Sequence, residues 1–220
     1  MAFSHGTPNS IVTDGLVFCV DAANILSYPR TGVTVTDLID NSITGSMSGA
    51  TYATSNAGVF NFDGSSDEID FSTLNITGNF TISLWADTNS TSYQSAIQLS
   101  NSTTTGTNDS TIFVRNTYEA NRWGFYDGST VLLGAVLDLN RWYNHVMTKN
   151  STTYTIFLNA EQENQNTKNN INIEDFLIGR RSFNGFYYNG NIATTQIYNR
   201  ALSSSEVLQN YNALKNRFRT

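Results

Sequence analysis

Residues 59–71 read "VFNFDGSSDEIDF", and their spacing sets the architecture. Phe60 and Phe62 flank Asn61, while Ile69 and Phe71 flank Asp70, so each short run carries its apolar side chains at every second position. That period is the mark of a strand with one buried face. Between the runs stands Asp63-Gly64-Ser65-Ser66, whose small polar residues favour a tight reversal. The stretch predicts two strands joined as a hairpin, with Phe60 and Phe62 matched by Ile69 and Phe71 on one face.

The same period recurs outward along the chain. In "GLVFCV" it groups Leu16, Phe18 and Val20; in "FTISLWA" it sets Phe80, Ile82 and Leu84 against Thr81, Ser83 and Trp85; in "YTIFLN" it groups Tyr154, Ile156 and Leu158. With 14% charged and 12% aromatic residues among 220, and no helical period before residue 203, the reading is all-β: two antiparallel sheets packed as a sandwich. The polar stretches "NSTSYQSAIQLSNSTTTGTNDS" and "NAEQENQNTKNNINIED" are in part read as long surface loops. Residues 1–12 lack periodicity and are expected to form an extended arm, leaving 13–220 as one domain.

The last segment, "IYNRALSSSEVLQNYNALKNRF", breaks the pattern. Ser203-Ser204-Ser205-Glu206 has the spacing of a capping box, and Val207, Leu208, Tyr211, Leu214 and Phe218 follow helical spacing. A short helix over about 204–217 is expected, its apolar stripe laid on a sheet, with Lys215 and Arg217 suiting its negative end.

Eighteen acidic against 12 basic residues give a net charge of −6, which argues against a general grip on nucleic-acid phosphates. The single cysteine, Cys19, sits inside "LVFCV" and is expected to be a buried thiol. The opening "MAFSHGTPNSIVTDG" has neither a basic start nor an apolar run, and no stretch reaches the roughly 18 apolar residues of a membrane span. A chain without a leader or membrane contact is expected. In that setting the Asn-x-Ser/Thr triplets at Asn75, Asn79, Asn101 and Asn150 are read as products of composition.

In order, "DGLVFCVDAANILSYP", "FNFDGSSDEIDF", "FTISLWA", "RWYNHVM", "YTIFLNAEQ", "FLIGRR" and "GNIATTQIYNRALSSSEVLQNY" span most of the chain. This ordered set resembles the laminin-G-like and pentraxin-like jelly rolls of the concanavalin A-like lectin and glucanase superfamily. The opening "NSIVTDGLVFCVDAANILSYPRTG" followed by "TDL" resembles stand-alone versions in tailed bacteriophages, which implies a virion component assembled in the host cytoplasm. One departure is the loop around "TDL", where this chain has Val35 before it and Ile39-Asp40-Asn41 after it.

The resemblance also frames the chemistry. Retaining β-glucanases of the superfamily carry Glu-x-Asp-x-Glu on one strand, with the outer pair as nucleophile and acid/base. Here Glu68 and Asp70 match, but the third position is Ser72, whose hydroxyl cannot replace a carboxylic acid as proton donor. His5 and His145 form no metal or triad pattern, so no catalytic set is expected. Members of these groups hold calcium with loop oxygens, which makes Asp21, Asn24, Asp37, Asp40, Asp63 and Asp67 the candidates here. The candidates for glycan or partner contact are Trp123, Tyr126, Phe186, Tyr187 and Tyr188, the last three adjacent and unable all to enter one core from a strand. The expected function is a non-enzymatic virion structural protein, decorating a capsid or belonging to a tail or fibre, with other virion subunits or copies of itself as partners. The alternative is a lectin-like module for host polysaccharide.

Overall fold

The computed structural model describes residues 10–100, 110–116, 122–181 and 185–218. Two eight-stranded sheets face each other. The first runs in the order β14 (Glu161–Thr167), β13 (Thr153–Leu158), β12 (Tyr143–Asn150), β7 (Phe80–Thr88), β16 (Asn189–Tyr198), β5 (Val59–Asp63) and β4 (Thr51–Ala53). Its eighth strand, β1 (Leu16–Asp21), shares the second edge of β16 with β5: Asn189–Ile192 pair with β5 and Thr194–Tyr198 with β1. The second sheet runs β11 (Val131–Val136), β10 (Arg122–Asp127), β9 (Ser110–Asn116), β8 (Ser95–Ser100), β15 (Ile173–Ile178), β6 (Glu68–Ile76), β3 (Thr44–Ser48) and β2 (Thr34–Thr36). All these pairings are antiparallel. The fold is therefore the antiparallel sandwich expected.

The hairpin expected at 59–71 is not one. β5 belongs to the first sheet and β6 to the second, so the turn between them crosses the sandwich. Phe60 and Phe62 face Ile69 and Phe71 across the core instead of lying beside them in one ladder. The turn is closed by Asp67, buried, whose Oδ2 accepts from Asp63 N at 2.8 Å. Alternation reports which side chains turn inward, and an arch between sheets satisfies it as well as a hairpin does.

Both expected polar loops contain strands. The first holds β8, an inner strand of its sheet. The second holds β14, "EQENQNT", an edge strand that is almost wholly exposed. Polar side chains on both faces hide its period yet suit an edge, because they discourage pairing with another chain. A bulge between Leu16 and Phe18 also breaks the β1 alternation: Phe18 and Val20 enter the main core, while Leu16 packs into a separate cluster on the outer face. Cys19 is buried, and burial with Asp21 and Asp37 nearby pushes its thiol up to about 12.

The outer face of the first sheet is covered by α1 (Ser204–Leu214) and a 3₁₀ turn, Lys215–Phe218. The capping box forms as expected between Ser203 and Glu206. The stripe differs by one residue: Leu208 is 48% exposed, and Asn210 takes the inward position. Asn210 is buried because its amide is used at both ends, accepting from Val12 N at 2.7 Å and donating to the Tyr198 hydroxyl at 3.0 Å. Residues 10–12 of the expected arm are thereby tied to the helix, with Gln209 Nε2 donating to Ser10 O at 2.9 Å; residues 1–9 lie outside the described residues. Among the described residues no helix is long and apolar enough to cross a membrane.

Glu206 links helix and strand. Arg200 grips its carboxylate with two nitrogens at 2.6 and 3.0 Å, and with Ser203 holds the carboxyl at about 2, below the ordinary 4.5. A depressed folded-state pKa contributes stability that is complete above the unfolded value and lost as pH falls through the folded one. Glu206→Gln should therefore cost about 1–2 kcal/mol at neutral pH, since the pair is partly solvated, and progressively less between about pH 5 and 2. Urea unfolding of both proteins across that range checks this; a pH-independent difference would assign the loss to capping geometry.

Candidate functional site

With α1 covering the outer face of the first sheet, the outer face of the second is, among the described residues, the broad surface left without a helix. One end of it gathers rings around two arginines. β15 is followed by Gly179, where a φ of +96° turns the chain, and a Cβ there would lie 2.3 Å from the Phe62 ring. Only glycine allows that approach while leaving its N–H to Ala96 O at 2.8 Å. Arg180 and Arg181 follow at once, leaving the sheet end together.

Arg180 pairs with Glu68 on β6 and lies 5.9 Å from the Tyr187 ring. Arg181 is buried, with its guanidinium 5.2 Å from the Tyr126 ring and 5.8 Å from the Phe186 ring. Phe186 in turn meets Tyr93 edge-on at 4.4 Å. Burial pushes the Tyr93 hydroxyl up, and the charge of Arg181 opposes that shift. A cation held among ring faces is favoured by their negative quadrupoles, more so when shielded from water.

The loop that carries Phe186 and Tyr187 is fixed at its base. Ser95 N donates to Phe186 O at 3.1 Å, and Tyr188 N donates to Gly179 O at 2.7 Å. Gln94 holds the next strand, donating to Thr88 Oγ1 at 2.6 Å and accepting from Asn189 N. Tyr188 turns inward, fully buried, and its hydroxyl donates to Asp87 O. Asp87 is itself buried, which pushes its carboxyl up while Asn191 counters that with three hydrogen bonds.

Of the five aromatic candidates, Tyr126, Phe186 and Tyr187 come together here and are partly exposed. Tyr188 and Trp123 are fully buried and cannot touch a ligand or partner from the folded state. Tyr188 fills the core against Phe62; Trp123 stands on β10 beside His145, where alternation aims it between the sheets. Sequence reasoning missed Tyr93, Arg180 and Arg181. A signal existed: residues 180–181 are the one adjacent basic pair in the sequence, placed directly after an apolar strand.

The six calcium candidates do not converge. Asp37 is buried and caps its loop, accepting from Cys19 N at 2.7 Å, Ile39 N at 3.1 Å and Asp40 N at 3.1 Å. Asp40 serves Ser42, Asp63 serves Ser65, Asp67 serves Asp63 N, and Asn24 serves Leu26 N. Asp21 holds Ala23 N and pairs with Arg217 at 2.7 Å. Among the described residues no group of three or more His, Cys, Asp or Glu side chains is placed to hold a metal ion. Their oxygens act as turn and loop acceptors.

Comparison with known proteins bears on the fold. The sequence model of a laminin G family described as "Concanavalin A-like lectin/glucanases superfamily" matches residues 63–208, more than half of the chain. No curated protein matches the sequence. Among solved structures, domain 4 of AbnA, a GH43 extracellular arabinanase from Geobacillus stearothermophilus in complex with arabinotriose, is similar at TM-score 0.71 and 16% identity, covering 89% of this chain and 98% of that one. The binding domain of Paraclostridial Mosquitocidal Protein 1 is similar at TM-score 0.67 and 16% identity, over 90% of this chain and 52% of that one. Trypanosoma rangeli sialidase in complex with the inhibitor DANA gives TM-score 0.74 at 12% identity, covering 96% of this chain and 34% of the sialidase. The chain thus spans about a third of the length of the sialidases it matches, and at these identities the likeness is one of fold.

Proposed function

We infer that this chain, which belongs to the concanavalin A-like lectin/glucanases superfamily, is a non-catalytic carbohydrate-binding module working through the arginine and ring cluster. The observation that carries the reading is the convergence of Tyr126, Phe186 and Tyr93 on the buried Arg181, with Tyr187 and Arg180 beside it. Sugar rings present C–H faces to aromatic side chains and hydroxyls to planar donors, and a partly exposed tyrosine supplies both kinds of surface. Holding Arg181 in place fixes the rings before a ligand arrives, which lowers the ordering cost of binding. The arabinotriose complex of the similar arabinanase domain supports the same reading.

Catalysis has less support. Glu68 is committed to Arg180, and the third position of the alternating series is the hydroxyl of Ser72. The virion role expected from the sequence rests on the resemblance of the opening segment and has no counterpart among these observations, so glycan binding takes precedence.

A glycan array tests the proposal. Selective binding is expected, weakened about tenfold by Tyr187→Ala with the unfolding midpoint unchanged, a loss of about 1.4 kcal/mol. Absence of binding to any glycan would sink the proposal, and release of reducing ends from β-glucans would overturn its non-catalytic part.

A further inference from the structure

A second site lies on the opposite side of the molecule, under the C-terminal turn. A cavity of about 270 Å³ opens between the first sheet and the helix, lined among others by Trp85, Arg141, Asn159, Tyr211, Lys215 and Phe218. Trp85 is 3% exposed, and among the described residues its indole Nε1 has no hydrogen-bond partner. Tyr211 and Phe218 stack on it at 5.6 and 4.3 Å, nearly parallel, and the indole forms part of the cavity wall. A buried indole N–H without an acceptor is costly in a folded protein, and such a donor points to a ligand that accepts.

Three other lining groups bring donors. Arg141 brings a guanidinium and Lys215 an ammonium, one of whose protons goes to Asn212 Oδ1 at 2.6 Å; the Asn159 side-chain oxygen accepts from Asn144 N at 2.9 Å, and its amide also carries N–H donors. No lining residue is acidic. The nearest carboxylate known to touch one of them is Asp138, 3.1 Å from Arg141, and that pair is mostly exposed. In a chain of net charge −6, a cavity lined by two cationic side chains and no acidic one is a local reversal of sign.

We propose that this cavity binds the oxyanion of a small molecule of up to monosaccharide size, with Trp85 Nε1–H, Arg141 and Lys215 as its donors. Carboxylate and phosphate share the required chemistry, several strong acceptors on one charged group. The site is independent of the arginine and ring cluster on the second sheet.

The test uses the full chain, 15N-labelled at its tryptophan indoles, titrated separately with D-glucuronate, inorganic phosphate and D-glucose. The expected result is a progressive shift of the Trp85 indole resonance with at least one anion and none with glucose. A response to glucuronate alone marks a carboxylate site, and a response to phosphate alone marks a phosphate site. Trp85→Phe keeps the ring stack and removes the N–H, and should weaken the anion about tenfold by calorimetry; Lys215→Met should do the same at an unchanged unfolding midpoint. No shift with either anion, an equal response to glucose, or undiminished affinity in both variants overturns the proposal.

Discussion

Phe218→Ala is expected to destabilise the protein by about 3 kcal/mol, whereas Leu208→Ala should change stability by less than about 0.5 kcal/mol. Both residues belong to the apolar stripe legible in the sequence, and the structure separates them. Phe218 is buried between Trp85, at 4.3 Å, and Trp142, at 4.8 Å, closing a cluster that includes Val59 and Ala193. Truncating it removes the transfer energy of a ring and leaves a hole that two tryptophans cannot fill, because Trp85 stands on β7, held by ladders on both sides, and Trp142 directly precedes β12. Leu208 faces water, and alanine there keeps helix propensity. For a chain of this size the first variant should melt roughly 10 °C lower. Differential scanning calorimetry checks the pair; equal losses would mean that the helix does not hold the phase described.

The anchoring of that turn explains why a residue so near the end can matter. Arg217 donates to Gly58 O at 2.6 Å, to Asn56 O and to Asp21 Oδ1 at 2.7 Å. The sequence reading placed Arg217 at a helix end for its charge. Its partners are instead the end of β1 and the turn before β5, contacts that spacing within one helix cannot reveal.

The alternation in residues 59–71 named the inward side chains correctly, and the antiparallel sandwich followed from it. It misassigned the partner, because a period of two states a face and leaves open which strand lies alongside. β14 escaped notice for the converse reason: an exposed edge strand has no apolar period, and only its ladder with β13 makes it a strand. Asn210 replaced Leu208 because the tertiary partners, Val12 N and the Tyr198 hydroxyl, lie 198 and 12 residues away. In the site, Phe186 and Tyr187 were legible from their adjacency, and Tyr126 was named only as an aromatic candidate. Tyr93 was not, since it stands in a polar loop and acquires its role only when β8 brings that loop beside β15.

Trp123→Ala should cost about 3–5 kcal/mol, the largest loss expected from a single substitution here. Trp123 was a candidate for glycan contact, and substitution would indeed lower apparent binding, but by a different route. The ring is fully buried, 4.9 Å from the ring of His145, and its Nε1 donates to Glu163 Oε2 at 2.7 Å. The same Oε2 accepts from Ala135 N at 2.7 Å, so the indole helps hold a carboxylate that bridges β14 to β11. His145 has no hydrogen-bond partner among the described residues, and burial takes its pKa down to about 3, so it is a neutral ring whose packing depends on Trp123. Alanine would open a large cavity beside that histidine and free one acceptor contact of Glu163, and water entering there would ease the protonation of His145. Trp123→Ala should therefore lose stability below pH 6 less steeply than the parent, in which His145 gains its proton only on unfolding. Glycan affinity, normalised to the folded fraction, should stay unchanged, whereas Tyr187→Ala should lower affinity and leave the melting temperature in place. Measuring midpoint and affinity on the same two variants separates a core ring from a contact ring, and a Trp123→Ala protein that is stable yet blind to glycan would reverse the assignment.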